Sequence, residues 1–153
     1  MTVLSIIIAA VFFFTDFFIK RYILANISVG ETFGSFTPLI DFTYVQNTGA
    51  AFSIMSGKMG ILSLVSVAFC VGVVVYWILK KPTQKLFCVS LAMIFGGALG
   101  NAIDRIFYGF VVDFIETTFI DFPVFNIADI GITVGVALIM IHFIFFDKEE
   151  NDG

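Results

Sequence analysis

The chain has 153 residues, of which 59% are hydrophobic and only 13% are charged. A soluble domain of this length needs a polar surface, and about a quarter of its residues are charged. The composition therefore predicts a membrane protein. Eight basic residues against twelve acidic ones give a formal net charge of −4, which excludes nucleic acid as a partner and argues against a polybasic lipid-binding patch.

Four apolar segments are long enough to cross a bilayer, which takes about 20 residues as a helix. The predicted helices lie at about 3–24, 58–80, 85–106 and 123–147, and the longer connections at about 25–57 and 107–122. The first segment is expected to be a mature helix, because it lacks the basic start and cleavage site of a signal peptide. Cys70 and Cys88 lie inside apolar runs, so neither is expected in a disulfide. We expect one compact domain, 1–153.

The orientation follows from the connection between the second and third helices. It contains Lys80, Lys81 and Lys85 and no acid, and short loops of this kind stay in the cytoplasm. Both termini are then predicted to be cytoplasmic, and the two longer connections face outward. Lys20 and Arg21 fall near the outer end of the first helix, where long basic side chains are expected to snorkel toward the interface.

The first outer connection is too apolar for a solvated linker. Residues 41–46 are rich in β-branched and aromatic side chains, and Gly30, Gly34 and Pro38 interrupt the segment. We expect a small sheet at the outer surface of the membrane. The exposed edge of such a sheet is suited to gripping an extended peptide.

Charged residues inside the apolar segments are the candidates for chemistry, because each costs about 2.5 to 3.5 kcal/mol to place there. Asp16 and Lys20 are spaced i,i+4, which favours a structural ion pair on one helix face. Asp104 and Arg105 are adjacent and point to different sides of a helix. Arg105 is therefore expected to find another acceptor, either an acid elsewhere or a carbonyl at the helix end.

Asp113 and Asp129 form the second group of candidates. Asp113 follows the third helix, and Asp129 is predicted about 10 Å along a fourth helix that starts near residue 123. The two carboxylates can then meet near the outer interface, where one pKa rises and the other falls. That condition suits general acid and base catalysis as in aspartic proteases. Acids in helix bundles also bind protons or ions, so a transport role stays open.

Polar and small residues surround these acids in a regular pattern. Asn101 with Asp104, and Asn126 with Asp129, are spaced i,i+3, so each pair is expected to share a helix face. Gly96 and Gly100 predict close helix packing. In the first outer connection, Asn47 and Gly49 belong to a turn signal whose small residues permit close approach of a ligand.

Other site types are disfavoured by the residues available. The single histidine, His142, is far along the chain from the acids and makes a poor zinc site, so no metal and no cofactor are expected. Lys58 near Ser53 and Ser56 is the nearest candidate for serine proteolysis, and an interfacial anchor is the better interpretation. A proton or cation transporter and a non-enzymatic membrane subunit remain as rival classes.

Five segments in order carry a resemblance to a known family. They are Asp16-x-x-x-Lys20, QNTGAAFS at 46–53, GGALGNAIDR at 96–105, VVDF at 111–114 and FNIAD at 125–129. This set resembles the lipoprotein signal peptidases, signal peptidase II, over nearly the whole chain. The sequence departs from the family pattern after the last motif, where Ile130 and Gly131 stand in place of an expected small polar residue.

The resemblance implies an all-α polytopic membrane protein with four transmembrane helices and a small extracytoplasmic β-cradle. It implies an aspartic endopeptidase of the bacterial cytoplasmic membrane that cuts before a diacylglyceryl cysteine in prolipoproteins. Its expected partners are these substrates and membrane lipid, with no oligomer required. By the motifs, Asp113 and Asp129 are catalytic and Asp16 and Lys20 structural. Substrate binding or support of the catalytic pair is implied for Asn47, Gly49, Asn101, Asp104, Arg105 and Asn126.

Overall fold

The computed structural model describes residues 3–49 and 59–146. Within them, four helices and three strands follow one another along the chain. They are α1 (Val3–Asn26), β1 (Thr32–Thr37), β2 (Ile40–Asn47), α2 (Met59–Lys80), α3 (Lys85–Tyr108), β3 (Val111–Thr117) and α4 (Ile127–Phe145). Each of the four helices is long and apolar enough to span a membrane. The predicted four-helix architecture is confirmed, while the label all-α omits the sheet.

The third helix, α3, is the centre of the bundle and packs against α1, α2 and α4. Its glycines make this possible. A Cβ at Gly96 would lie 2.5 Å from the carbonyl oxygen of Ala9 on α1, and one at Gly97 would collide with the carbonyl of Ala128 on α4. The absence of side chains at these two positions therefore brings three helix backbones together, as small residues do in membrane bundles.

The three strands form an antiparallel sheet in the order β1-β2-β3. One face of the sheet packs on the end of α1, where Ile23, Tyr44, Val112 and Phe114 form a buried apolar cluster. Gly109 ends α3 with φ of +73°, a left-handed conformation that glycine adopts without strain. The chain can therefore reverse directly after α3 and place β3 beside the helix ends.

The structure differs from the predicted elements in two places, a strand that was not predicted and the start of the fourth helix, and both differences concern the candidate site. Residues 107–122 were expected to be a connection only, yet they contain β3, which carries Asp113. The fourth helix begins at Ile127 and not at 123, because Asn126 caps it. Asp129 consequently lies in the first turn of α4, and not two turns along it. The predicted helix start at 58 and end at 147 lie outside the described residues.

Candidate active site

Asp113 and Asp129, here called the acid pair, open on one cavity of about 440 Å³. Asp113 comes from β3 and is 1% exposed, whereas Asp129 comes from the first turn of α4 and is only partly buried. The cavity walls are mostly apolar apart from the acid pair and a few polar groups. They are formed by Asn47, Asn101, Arg105, Val111, Phe122, Pro123, Val124, Phe125, Ile130, Ile132, Thr133 and Val134.

Asn126 links the two acids. Its Nδ2 donates to Oδ1 of Asp113 at 2.6 Å, and its Oδ1 accepts from the backbone N–H of Asp129 at 2.9 Å. The backbone N–H of Asn126 in turn donates to Oδ2 of Asp129 at 3.2 Å. This reciprocal pair is a capping box. The sequence predicted that these two residues share a helix face because of their i,i+3 spacing. The spacing reflects a helix start instead, since Asn126 is the N-cap of α4 and Asp129 lies in its first turn.

Asn47 holds the other oxygen of Asp113. The two residues are diagonal neighbours on paired strands, since Asn47 is opposite Val111 and Asp113 is opposite Val45. Asn47 Nδ2 donates to Asp113 Oδ2 at 2.9 Å, while its Oδ1 accepts from the backbone N–H of Gly49 at 2.9 Å. Gly49 thus fixes which end of the Asn47 amide faces the acid.

Asn101 performs the corresponding task for Asp129. Its Nδ2 donates to Asp129 Oδ1 at 2.8 Å. Its Oδ1 accepts from Lys20 Nζ at 2.8 Å and from Asn126 Nδ2 at 3.2 Å. Every carboxylate oxygen of the acid pair therefore accepts a hydrogen bond from an asparagine side chain or from the backbone of one.

The environment of the acid pair perturbs Asp113 strongly. Burial, and after it the neighbouring charge of Asp129, raise the pKa of Asp113 to about 7, although the hydrogen bonds from Asn47 and Asn126 and the charge of Lys20 act in the opposite direction. Asp113 is therefore protonated in a large share of the molecules at neutral pH, where an ordinary aspartate is ionised.

A buried ion network lies directly behind the acid pair and consists of Asp16, Lys20, Arg21 and Asp104. Lys20 Nζ is 2.7 Å from Oδ2 of Asp16 and 3.2 Å from Oδ2 of Asp104. Arg21 donates to Oδ1 of Asp104. The predicted pairing of Asp16 with Lys20 is present. The expectation that Lys20 snorkels is wrong, because its side chain is fully buried and its partners lie on α1 and α3.

Sequence reasoning missed Arg21 as a partner of Asp104. Its guanidinium carbon lies 4.3 Å from the ring centroid of Tyr108 and 5.2 Å from that of Phe17, a stacked arrangement that arginine adopts readily. The sequence contained part of the information needed to predict this pairing. A second cation beside Lys20 in an apolar helix needs an acid, and Asp104 on α3 was an acid still without an assigned partner.

Comparison with known proteins supplies a family for this arrangement. The sequence profile described as signal peptidase (SPase) II matches residues 8–145. The chain belongs to the signal peptidase II family. It is 38% identical to the lipoprotein signal peptidase of Lactobacillus gasseri over 149 residues, which cover 97% of this chain and 96% of that protein.

Further relatives agree with this assignment. The lipoprotein signal peptidase of Lactococcus lactis subsp. lactis is 42% identical over 146 residues, covering 95% of this chain and 96% of that protein. A solved bacterial membrane enzyme, determined by the in meso method at 2.3 Å resolution, is similar with a TM-score of 0.87 and 35% identity, covering 97% of this chain and 91% of that one. The resemblance found in the sequence is thereby confirmed.

Arg105 is the one cation on the cavity wall of this signal peptidase II among the residues described. The sequence predicted that it would find an acceptor other than Asp104. Its Nη1 makes only a long contact of 3.4 Å to the carbonyl oxygen of Asn101, and its buried Nε contacts no acceptor within the described part of the chain. Its donors are therefore available to a ligand in the cavity.

The departure from the family pattern after Asp129 has a packing explanation. Ile130 lines the cavity, and Gly131 faces away from it, where a Cβ would lie 2.7 Å from the ring of Phe12 on α1. His142 is buried near the other end of α4, with its ring against Phe87, Phe143 and Phe146. The serine and lysine candidates at 53, 56 and 58 lie outside the described residues.

Proposed function

We propose that this signal peptidase II is an aspartic endopeptidase that removes the signal peptide from diacylglyceryl prolipoproteins, cutting before the lipidated cysteine. One observation carries the aspartic mechanism: two carboxylates share a cavity, and one of them has a pKa raised to about 7. A pair in which one acid is protonated and the other ionised is what peptide hydrolysis by carboxylates requires. The names of the curated relatives support the substrate class.

The different environments of the two acids support different roles for them. Asp129 is the more accessible and accepts from Asn101 at 2.8 Å, which favours an ionised general base that takes a proton from water. Asp113 is almost fully buried and holds its proton near neutral pH. It protonates the carbonyl oxygen as water attacks. The C–N bond then breaks as Asp129 gives its proton to the departing amine, and a hydroxyl of the tetrahedral intermediate returns a proton to Asp113.

The remaining residues on the wall position the substrate. The guanidinium of Arg105 offers donors to a substrate carbonyl, while Asn47 and Asn126 keep the carboxylate of Asp113 in place. The apolar wall continues along α4 through Ile130 and Val134. This wall accommodates the lipid-modified segment. Because the bilayer already shelters the acyl chains, the lipid contributes positioning more than affinity.

The decisive experiment is cleavage of a lipidated prolipoprotein by the purified protein in detergent or liposomes, followed by mass spectrometry of the products. Asp113→Asn and Asp129→Asn keep the shape of the side chain and remove its titrating group. Each should lower cleavage at least about a hundredfold, as expected for lost acid or base catalysis. Asp121→Asn is the matched control, because Asp121 is exposed on the connection before α4 and is absent from the cavity wall.

Substrate selectivity is tested with a precursor that has serine in place of the modified cysteine. We expect it to stay uncut at concentrations that saturate cleavage of the lipidated form. Efficient cleavage of the serine precursor would turn the assignment toward a general signal-peptide protease. Near-normal cleavage by either acid-pair variant would contradict the assignment of the two carboxylates and make Asp104 the next acid to test. Absence of cleavage by the unaltered protein would instead favour the rival roles, proton transport or a non-enzymatic subunit.

We further propose that the site faces outward from the bacterial cytoplasmic membrane and that both termini are cytoplasmic. The three lysines at the turn between α2 and α3 support this orientation. Thr83 on that turn and Ser35 on β1 are both exposed. In a background without Cys70 and Cys88, Thr83→Cys should resist an impermeant thiol reagent in intact cells and Ser35→Cys should react. The reverse labelling would overturn the orientation.

A further inference from the structure

The two acids of the ion network each bind the backbone directly before one member of the acid pair. Asp104 Oδ2 accepts from the N–H of Val112 at 3.2 Å, and Val112 precedes Asp113. Asp16 Oδ1 accepts from the N–H of Ala128 at 3.0 Å, and Ala128 precedes Asp129. The network therefore contacts both segments that carry the carboxylates, although it lies outside the cavity.

Lys20 joins these two contacts. Its ammonium lies between the carboxylates of Asp16 and Asp104, at 2.7 and 3.2 Å. It also donates a hydrogen bond to Oδ1 of Asn101 at 2.8 Å. The ammonium thus contacts three different acceptors, two carboxylates as ion pairs and one amide oxygen through a hydrogen bond. A simple ion pair with Asp16 would need only one of them.

The bond to Asn101 also favours one orientation of that amide, together with the longer bond of 3.2 Å from Asn126 Nδ2 to the same oxygen. Because Lys20 can only donate, it selects the amide oxygen of Asn101. The amide nitrogen is then left to donate to Asp129 at 2.8 Å. With the amide reversed, two donors would face each other and the carboxylate of Asp129 would face an acceptor. Lys20 thus acts on one acid through a side chain and on both through the backbone.

We propose that Lys20 is a positioning residue that sets the separation of the two catalytic carboxylates and the orientation of the amide between them. This role rests on the proposed function, since it has meaning only if Asp113 and Asp129 react with substrate. It extends the sequence-based view of Lys20 as the structural partner of Asp16.

The charge arrangement explains why a lysine suits this position. Asp16 and Asp104 carry two negative charges, which Lys20 and Arg21 balance. Removing one cation from such a site leaves an uncompensated buried charge, which destabilises the fold strongly. A test of positioning therefore needs a variant that removes the ammonium and keeps the network neutral.

The double variant Asp16→Asn/Lys20→Met meets that need. The amide introduced by Asp16→Asn would keep an oxygen that can accept from Ala128, and Asp104 keeps Arg21 as its counter-ion. We expect its folding midpoint to lie close to that of the wild type. We expect kcat for the lipidated precursor to be at least about tenfold lower than that of the wild type, because the Asn101 oxygen loses the shorter of its two hydrogen bonds and small misplacements slow catalysis steeply. KM should change less than about threefold, since Lys20 does not line the cavity.

The pH profile of the same double variant adds a readout that scaffolding alone does not move. Among the described residues, the charged side chains that act on the acid pair are Lys20 from α1, which acts on Asp113, and Arg105 from α3, which acts on both acids. Losing the cation makes Asp113 harder to ionise. The falling limb of the kcat/KM profile against pH should therefore move to higher pH, in addition to the lower maximum.

Two controls separate charge and stability from positioning. Lys80→Met removes an exposed lysine at the far end of α2. Val73→Ala weakens the apolar cluster around Trp77 without touching a charge. Neither should move the pH profile, although Val73→Ala should lower the folding midpoint.

The outcomes distinguish the two proposals. Recovery of kcat to within about threefold of the wild type in the double variant, with Asp113→Asn inactive, would show that Lys20 only neutralises Asp16 and would overturn its positioning role. Failure of the double variant to fold would also count against that role, since it would make Lys20 a scaffold residue. Near-normal cleavage by Asp113→Asn would instead overturn the proposed function.

Discussion

The helices α2 and α3 have similar lengths and are both long and apolar enough to span a membrane. They differ in burial, because α3 is central in the bundle and α2 is peripheral. On α3, twelve residues are buried, among them Asn101 and Asp104. On α2, the buried residues among those described are Cys70, Val73 and Trp77, and most of its large apolar side chains are exposed. Hydrophobicity alone therefore does not tell a central helix from a peripheral one.

The difference lies in the small and polar residues. The glycines of α3 touch neighbouring backbones, and its polar side chains reach α1 and α4. On α2, the hydroxyl of Ser66 donates to the carbonyl of Leu62 in its own helix. In lipid, apolar surface gives little preference for another helix, so close approach and hydrogen bonds decide which helix is central.

Among the variants that test this contrast between helices, the largest effect is expected from Asn101→Ala. It removes the donor to Asp129 and the acceptor of Lys20 in one step. The fully buried ammonium of Lys20 and the partly buried carboxylate of Asp129 each lose that partner, which is costly. Cleavage of the lipidated precursor should fall at least about tenfold. Ser66→Ala on α2 is the counterpart and should leave the rate unchanged. Equal losses in both variants would break the contrast between the helices.

A second, smaller effect is expected from Gly97→Ala. The added Cβ would collide with the backbone of Ala128, so α3 and α4 must separate where Asn101 meets Asp129. Overpacking of this kind costs about 1 to 3 kcal/mol. A lower folding midpoint in a thermal assay, together with a reduced cleavage rate, is the expected result. An unchanged midpoint would mean that the two helices can move apart without loss.

These cases show what the sequence could and could not provide. The helices followed from uncharged runs, and the pairing of Asp16 with Lys20 from i,i+4 spacing. The strand carrying Asp113 was missed because Val111 and Val112 begin a segment of only seven residues, which reads equally well as a loop. The contacts of Lys20 with Asp104 and Asn101 depend on how α1 packs against α3, and no spacing within one segment encodes that packing.

The sheet also affects the acid pair, because Asn47 on β2 donates a hydrogen bond to Asp113 on β3. Asp113 must be protonated to act as the acid, and its pKa is about 7, so cleavage should fall about tenfold per pH unit above that value. The Asn47 donor favours the ionised carboxylate, so Asn47→Ala should raise this pKa and move the falling limb to higher pH. Initial rates across pH 5 to about 9 measure it. A limb that moves to lower pH, or that stays in place, would contradict the assignment of Asp113 as the acid.

The smallest effect is expected at Gly72, the matched partner of Gly97 on α2. A Cβ at Gly72 meets no atom of the described residues within 4 Å, so alanine adds no clash there. In water, alanine is favoured over glycine inside a helix by up to about 1 kcal/mol. In lipid, the helix must stay hydrogen-bonded whichever residue is present, so the gain should be smaller. Gly72→Ala should therefore show an unchanged or slightly raised folding midpoint and a normal cleavage rate. A clear loss of either would mean that this face of α2 packs closely against a partner, such as a second copy of the chain, and that α2 is peripheral only within the monomer.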